Sequence, residues 1–270
     1  MGELTPDKIA TEIEKTGYPL ELRAAEVLRR PNSHLAYNVY YIDSDEQKGR
    51  EIDLRWLRNV RIGPLEGPAS VWVRYSLAIE CKRATKPWVF LTSPRASYDQ
   101  EIGSALYYGL PRLALSQDEL KRARERHPMF RSHSLGRGFF EAFKSEEKES
   151  RIFGAVVTAV KATLAARQEE FAATSGNSIC FYYPLVIVDG PMFEGRLENG
   201  SVVAQEVSRT VVSFSYASPA YGDQQLLVPV IRIEEMAAFV DELDEVHEYV
   251  ADCLLAAVER GEYKPKNRAT

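Results

Sequence analysis

The apolar positions along the chain fall into stretches of two kinds. Three early runs, Leu35–Ile42, Glu51–Leu57 and Val71–Cys81, are dominated by aromatic and β-branched residues and separated by turn residues, which predicts three consecutive strands. The polar stretch SDEQKG at 44–49 predicts a hairpin loop, and RIGPLEGPAS, with its two glycines and two prolines, a longer connection. Ahead of the strands, 5–16 is predicted as a helix with Thr5 as its cap and Pro6 in its first turn, followed by a second helix over 19–30 that stops before Pro31. Helical spacing returns at 146–171, where Ile152, Val156, Ala159, Val160, Thr163 and Leu164 form one stripe, and at 234–260, where Met236, Phe239, Val240, Leu243, Val246, Val250, Leu254 and Val258 form another. Between and around these lie short predicted helices near 98–109 and 116–126, a basic loop at 121–138, and strands at Phe181–Asp189, Val202–Tyr216 and Leu226–Ile233. The order predicts an α/β fold, a mixed sheet with helices on both faces.

The third strand carries the chemistry. Leu77-Ala78-Ile79 is apolar on both faces of a strand, the mark of a central strand covered on both sides. It runs into Glu80-Cys81-Lys82, and alternation puts Ser76, Ala78, Glu80 and Lys82 on one face. A carboxylate and an ammonium there are costly unless paired, liganded or working. On the preceding strand, alternation turns Asp53 away from Ile52 and Leu54, and a hairpin pairing brings it beside Glu80. Two carboxylates sharing a site repel each other, and a divalent cation relieves the repulsion. Oxygen ligands of this kind suit Mg²⁺ or Mn²⁺ rather than zinc. Lys82 is then placed to orient a water or meet charge developing on a phosphate. On the 19–30 helix, Leu20, Ala24, Val27 and Leu28 fall within a stripe about 100° wide with Glu21 at its edge, so Glu21 leans toward the same place while Glu26 faces solvent.

Composition narrows the alternatives. With 270 residues, 45% apolar and 27% charged, the chain has the makings of an ordinary globular core. Cys81, Cys180 and Cys253 are odd in number and far apart, so neither a disulfide framework nor a zinc cluster is expected. The absence of a long apolar run and of a signal-like N-terminal core favours a cytoplasmic protein without a membrane span. There is no Walker-type loop and no GxSxG, so neither a nucleotide cofactor nor acyl transfer is expected. The net charge of −5 argues against coating nucleic acid by bulk electrostatics but allows a local basic groove.

Asp53 followed by Glu80-Cys81-Lys82, on a helix–strand–strand–strand order, resembles the PD-(D/E)XK (restriction-endonuclease-like) nuclease superfamily. The resemblance implies an α-β-β-β-α-β core over about 17–90 and 146–190, an insertion at 91–145 and a C-terminal extension over 191–270, all within one nuclease domain at 1–270. It implies metal ligation by Asp53, Glu80, the backbone carbonyl of Cys81 and Glu21, with Lys82 assisting catalysis. Ile52 stands where the nominal motif has proline. The implied activity is a Mg²⁺-dependent endonuclease, on DNA ahead of RNA, in restriction, repair or defence against foreign DNA.

Other residues invite functional and plain readings together. Arg83 and Lys86 are placed for phosphate contacts. Lys121, Arg122, Arg124, Arg126 and Arg131, with Arg137, could grip a nucleic-acid backbone or form a solvated loop. Trp88 suits core packing better than base stacking. Glu51, Asp189, Gln100 and Glu101 are minor acid or substrate candidates, and His127 and His133 an improbable metal pair. The competing functions are a non-catalytic nucleic-acid-binding or assembly module, and a nuclease subunit active only as a homodimer or with a partner, for which the acidic last helix offers a docking face.

Overall fold

The computed structural model describes residues 4–62, 71–95, 107–109, 115–143, 150–173 and 178–260. Two helices open it, α1 (Pro6–Glu14) and α2 (Tyr18–Val27). Three long strands follow, β1 (Ser33–Asp43), β2 (Lys48–Ile62) and β3 (Val71–Arg83), each antiparallel to the next. Then come β4 (Trp88–Pro94), β5 (Tyr107–Gly109), α3 (Gln117–Arg126), the single turn α4 (Pro128–Arg131) and β6 (Ser134–Glu141). Helix α5 (Arg151–Ala173) leads to β7 (Ser178–Asp189), which lies parallel to β3 from Trp72↔Ser178 to Arg83↔Asp189. Strands β8 (Met192–Glu198), β9 (Ser201–Glu206), β10 (Arg209–Ser218) and β11 (Gly222–Arg232) follow, and helix α6 (Met236–Glu259) closes the described chain. All the strands belong to one mixed sheet, in the order β1-β2-β3-β7-β11-β10-β6-β4-β8-β9, with β5 paired to β7.

Helices cover both faces, as the burial of the predicted stripes requires. On one face Leu20, Ala24 and Leu28 of α2 and Phe239, Val240 and Leu243 of α6 pack on Leu54, Leu77 and Ile79. On the other, Ile152, Val156, Ala159 and Val160 of α5 pack on Val186, Val188, Val228 and Val230, and Ala162 and Ala165 pack on Ile52 and Ala78. The alanines let α5 approach the sheet closely. Each large apolar side chain so buried contributes about 1.5–3 kcal/mol. The acidic face of α6, read above as a docking face, is partly occupied within the chain. Asp244 accepts from Arg58 (3.0 Å), Arg30 (3.1 Å) and the Tyr75 hydroxyl (2.7 Å), and Glu242 accepts from Arg209 (2.8 Å).

Several predicted elements are corrected. The basic stretch 121–138 is the end of α3, α4 and the start of β6, not a loop. Gly136 and Gly138 made β6 read as a loop, but β4 supplies an antiparallel ladder for it. The predicted strand Val202–Tyr216 is two strands, parted where the N–H of Val207 turns to bond the carbonyl of Met192. The helix expected near 98–109 falls mostly outside the described residues, as do Gln100 and Glu101, and its last three residues are strand β5.

Alternation also breaks at Asp53. Ile52 packs on the α5 face and Leu54 on the α2 and α6 face, so the two do not point the same way. The β1–β2 ladder passes from Tyr37↔Leu54 to Val39↔Ile52, and Asn38, at the skipped position, has φ 48°. Asparagine tolerates this left-handed conformation better than most residues.

Candidate active site at the end of the third strand

The break turns the Asp53 side chain toward its neighbouring strand. The β2–β3 ladder ends at Leu54↔Ile79. Beyond it, the Asp53 carboxylate accepts the backbone N–H of Cys81 at 2.7 Å. This bond fixes Asp53 against the residue between Glu80 and Lys82.

Glu80 lies two residues past Ala78 on the α5 face of β3 and is 6% exposed. One of its oxygens bonds the Lys82 ammonium, while the other, Oε2, is buried without a hydrogen-bond partner among the described residues. Burial drives the Glu80 carboxyl up to about 7; Lys82 opposes the rise, and Asp53 and Glu21 add to it. Burial works against the Lys82 ammonium, but Glu80 and Asp53 outweigh it and its pKa rises. Glu21 is also pushed up, first by burial, then by Asp53 and Glu51, against the pull of Lys82. These acids and the lysine therefore sense one another as one electrostatic cluster.

Glu21, Asp53, Cys81 and Lys82 line an open cleft of about 360 Å³ beside Gly17. Glu80 lies behind it, reached through Lys82. Among the described residues, no three His, Cys, Asp or Glu side chains are gathered as a group that could hold a metal ion. The chemistry of the donor set nonetheless fits a hard divalent cation. Two carboxylates open on the cleft, and the bare Oε2 of Glu80 is a buried acceptor awaiting a positive partner.

The remaining candidates divide. Arg83 lines the cleft, its Nη1 donating to the carbonyl of Glu14 at 2.6 Å. Lys86 donates to the carbonyl of Phe143. Lys121, Arg122, Arg124 and Arg126 ride on α3, which packs through Ala123 beside Val73 and Ile179. Val73 is seven residues before Glu80, about 23 Å along a strand, so these cations gather at the other end of the sheet. There Arg126 stacks over Tyr249 at 4.0 Å and Lys121 faces Glu125 at 3.9 Å. Arg131 faces Glu242 at 3.7 Å. His127 is buried and caps α4, whereas His133 is exposed. His247 is buried and stacks on Tyr75, ring centroids 4.1 Å apart. Trp88, 1% exposed, is core. Asp189 sits beside Arg83 in register, its carboxylate 3.5 Å from Arg23.

Two charged residues lining the cleft escaped the sequence reading, Lys15 and Arg151. No motif marks either; one follows the end of α1, the other begins α5. No helix among the described residues is long and apolar enough to cross a membrane. Compared with protein-family models, with curated proteins and with solved structures, the chain shows no match.

Proposed function

We propose that this chain is a Mg²⁺- or Mn²⁺-dependent nuclease of the PD-(D/E)XK type, an endonuclease acting on DNA in a cytoplasmic setting. The observation that carries the reading is the hydrogen bond from Cys81 N–H to Asp53, which joins Asp53 to the Glu80-Cys81-Lys82 strand end. The sequence of helix α2, strands β1 to β3, helix α5 and a strand parallel to β3 supports it. So does the mutual electrostatic pressure among Glu21, Asp53 and Glu80.

Asp53, Glu80, the Cys81 carbonyl and Glu21 would hold the metal, which when bound lowers the pKa of a coordinated water and neutralises charge on a phosphate. Lys82 is the cation nearest the acids of the site. It balances Glu80 in the resting arrangement and faces the cleft, where it can orient a nucleophilic water or meet charge growing on a phosphoryl oxygen. Asp53 is held by a backbone N–H and so keeps its place while Lys82 changes partner. Restriction, repair or defence rests on family analogy alone. The test is nicking of a supercoiled plasmid in Mg²⁺. Lys82→Ala and Asp53→Asn should each reduce it by about a hundredfold or more, in line with the loss of an electrostatic catalytic group. Equal cleavage by wild type and Lys82→Ala refutes the assignment.

One observation favours a second reading, a nucleic-acid-binding module or a subunit that needs its partner: Glu80 is engaged by Lys82 and the carboxylates do not converge on one point. Binding unaffected by EDTA, with no cleavage of DNA or RNA, would select it.

A further inference from the structure

The cleft that holds Glu21 and Asp53 is also lined by Lys15, Lys82, Arg83 and Arg151. Four cationic side chains therefore share it with two carboxylates, in a chain whose net charge is −5. The two guanidinium groups are tethered in series. Arg151 Nη2 donates to the carbonyl of Arg83 at 3.2 Å, and Arg83 Nη1 donates to the carbonyl of Glu14 at 2.6 Å. Backbone carbonyls fix their position without neutralising them, and among the described residues no carboxylate pairs with either guanidinium. Lys15 is paired with Glu12 at 2.5 Å, but both side chains are about two-thirds exposed, so solvent screens that pair and it is worth little.

A cleft lined by charges of both signs suits a ligand that carries more than one anionic group. One group approaches the carboxylates with a divalent cation between them, and the next rests on the fixed cations. A phosphodiester backbone has that repeat, and guanidinium forks match phosphate oxygens in pairs. We propose that Lys15, Arg83 and Arg151 anchor a non-scissile phosphate of the nucleic acid, adjoining the one that reacts beside Asp53 and Lys82. The anchor rests on the nuclease reading for its second phosphate, but it is a binding site and can be measured without cleavage. Arg151 reaches it from the first position of α5, Arg83 from the end of β3 and Lys15 from the end of α1. Three separate elements thus converge on one anion.

The experiment uses the full chain carrying Lys82→Ala, so that cleavage does not interfere. Binding of a fluorescein-labelled duplex is followed by anisotropy in Mg²⁺ from 50 to 200 mM salt. Replacing Lys15, Arg83 and Arg151 together by Ala frees one phosphate and should lower the slope of log K against log salt by about one, each single change to Ala by a part of that. The Lys82→Ala parent should therefore lose about threefold more affinity over that salt range than the triple variant. Arg151→Lys should restore most of the slope while weakening binding through loss of the fork. Arg196→Ala, a charge-matched change on β8, should leave both unchanged. An unchanged slope in the triple variant, or an equal fall in Arg196→Ala, overturns the anchor. Comparing a 5′-phosphorylated with a 5′-hydroxyl duplex and with a closed circle separates a terminal from an internal phosphate. The nuclease reading is judged separately by wild-type plasmid nicking. If nicking persists while the slopes do not move, the anchor alone fails; if the slopes move and nothing is cut, the nuclease reading alone fails.

Discussion

Replacing Glu80 by Gln should make the protein more stable above pH 7 and leave its stability almost unchanged at pH 4. The carboxyl is buried, and its pKa rises to about 7 from an ordinary 4.5. Below 4.5 the group is protonated in both folded and unfolded chains and costs nothing. Between 4.5 and 7 the unfolded chain ionises while the folded one holds its proton, so the cost grows. Above 7 the folded chain carries the charge at full cost, which that difference sets at roughly 3 kcal/mol. Glutamine keeps the shape and removes the charge. For a chain of this size each kcal/mol moves Tm by about 2–4 °C, so Glu80→Gln should melt about 6–12 °C above wild type at pH 8. The Lys82 ammonium keeps an amide oxygen as acceptor, and the loss of its counter-charge is already contained in the net rise to about 7. Mg²⁺ should narrow the gap by stabilising the wild-type carboxylate and not the amide. Differential scanning calorimetry at pH 4, 6 and 8, with and without Mg²⁺, measures all of this. A Tm difference that does not change between pH 4 and 8, or a variant less stable at pH 8, would refute the burial account of Glu80.

Other outcomes follow from the same geometry. Asp53→Asn keeps an oxygen for the N–H of Cys81, so its Tm without metal should stay within a few degrees of wild type, while any Mg²⁺-dependent rise in Tm disappears. Gly190→Ala should cost about 2–3 kcal/mol by urea unfolding, because a Cβ there would sit 2.2 Å from the Ala84 carbonyl oxygen and part the ends of β3 and β7. Asp244→Ala should cost about 3 kcal/mol, because Arg30, Arg58 and Tyr75 all lose their acceptor. Asp244→Asn should recover part of that in the same unfolding experiment.

Much of the architecture was legible because burial leaves a periodic trace. The stripes of α2, α5 and α6 were read from spacing, and their described members lie at the sheet. The run Leu77-Ala78-Ile79 announced a strand covered on both sides, and β3 is one. What was not legible depends on partners distant in sequence. β6, with its glycines and arginine, is a strand because β4 lies beside it. The end of β11 is set by β7 on one side and β10 on the other, and nothing local says so. The basic residues of α3 were read by composition, and composition carries no information about which end of a sheet a helix covers.

The break at Asp53 shows why a strand motif gives the members of a site and not their geometry. Strict alternation would have placed Asp53 on one face of β2, free of β3's backbone. Asn38, at φ 48° in the neighbouring strand, marks the skipped position in the ladder. Ile52 and Leu54 then go to opposite cores, and the carboxylate between them takes an N–H that the β2 backbone no longer serves. Asp53 is thereby locked to the strand end that carries Glu80 and Lys82, while Glu80 stays under α5 and Glu21 arrives with α2. The carboxylates approach the end of β3 on separate elements, and among the described residues they are not gathered at one point. Lys82 spans both regions, bonded to the buried acid and exposed to the cleft.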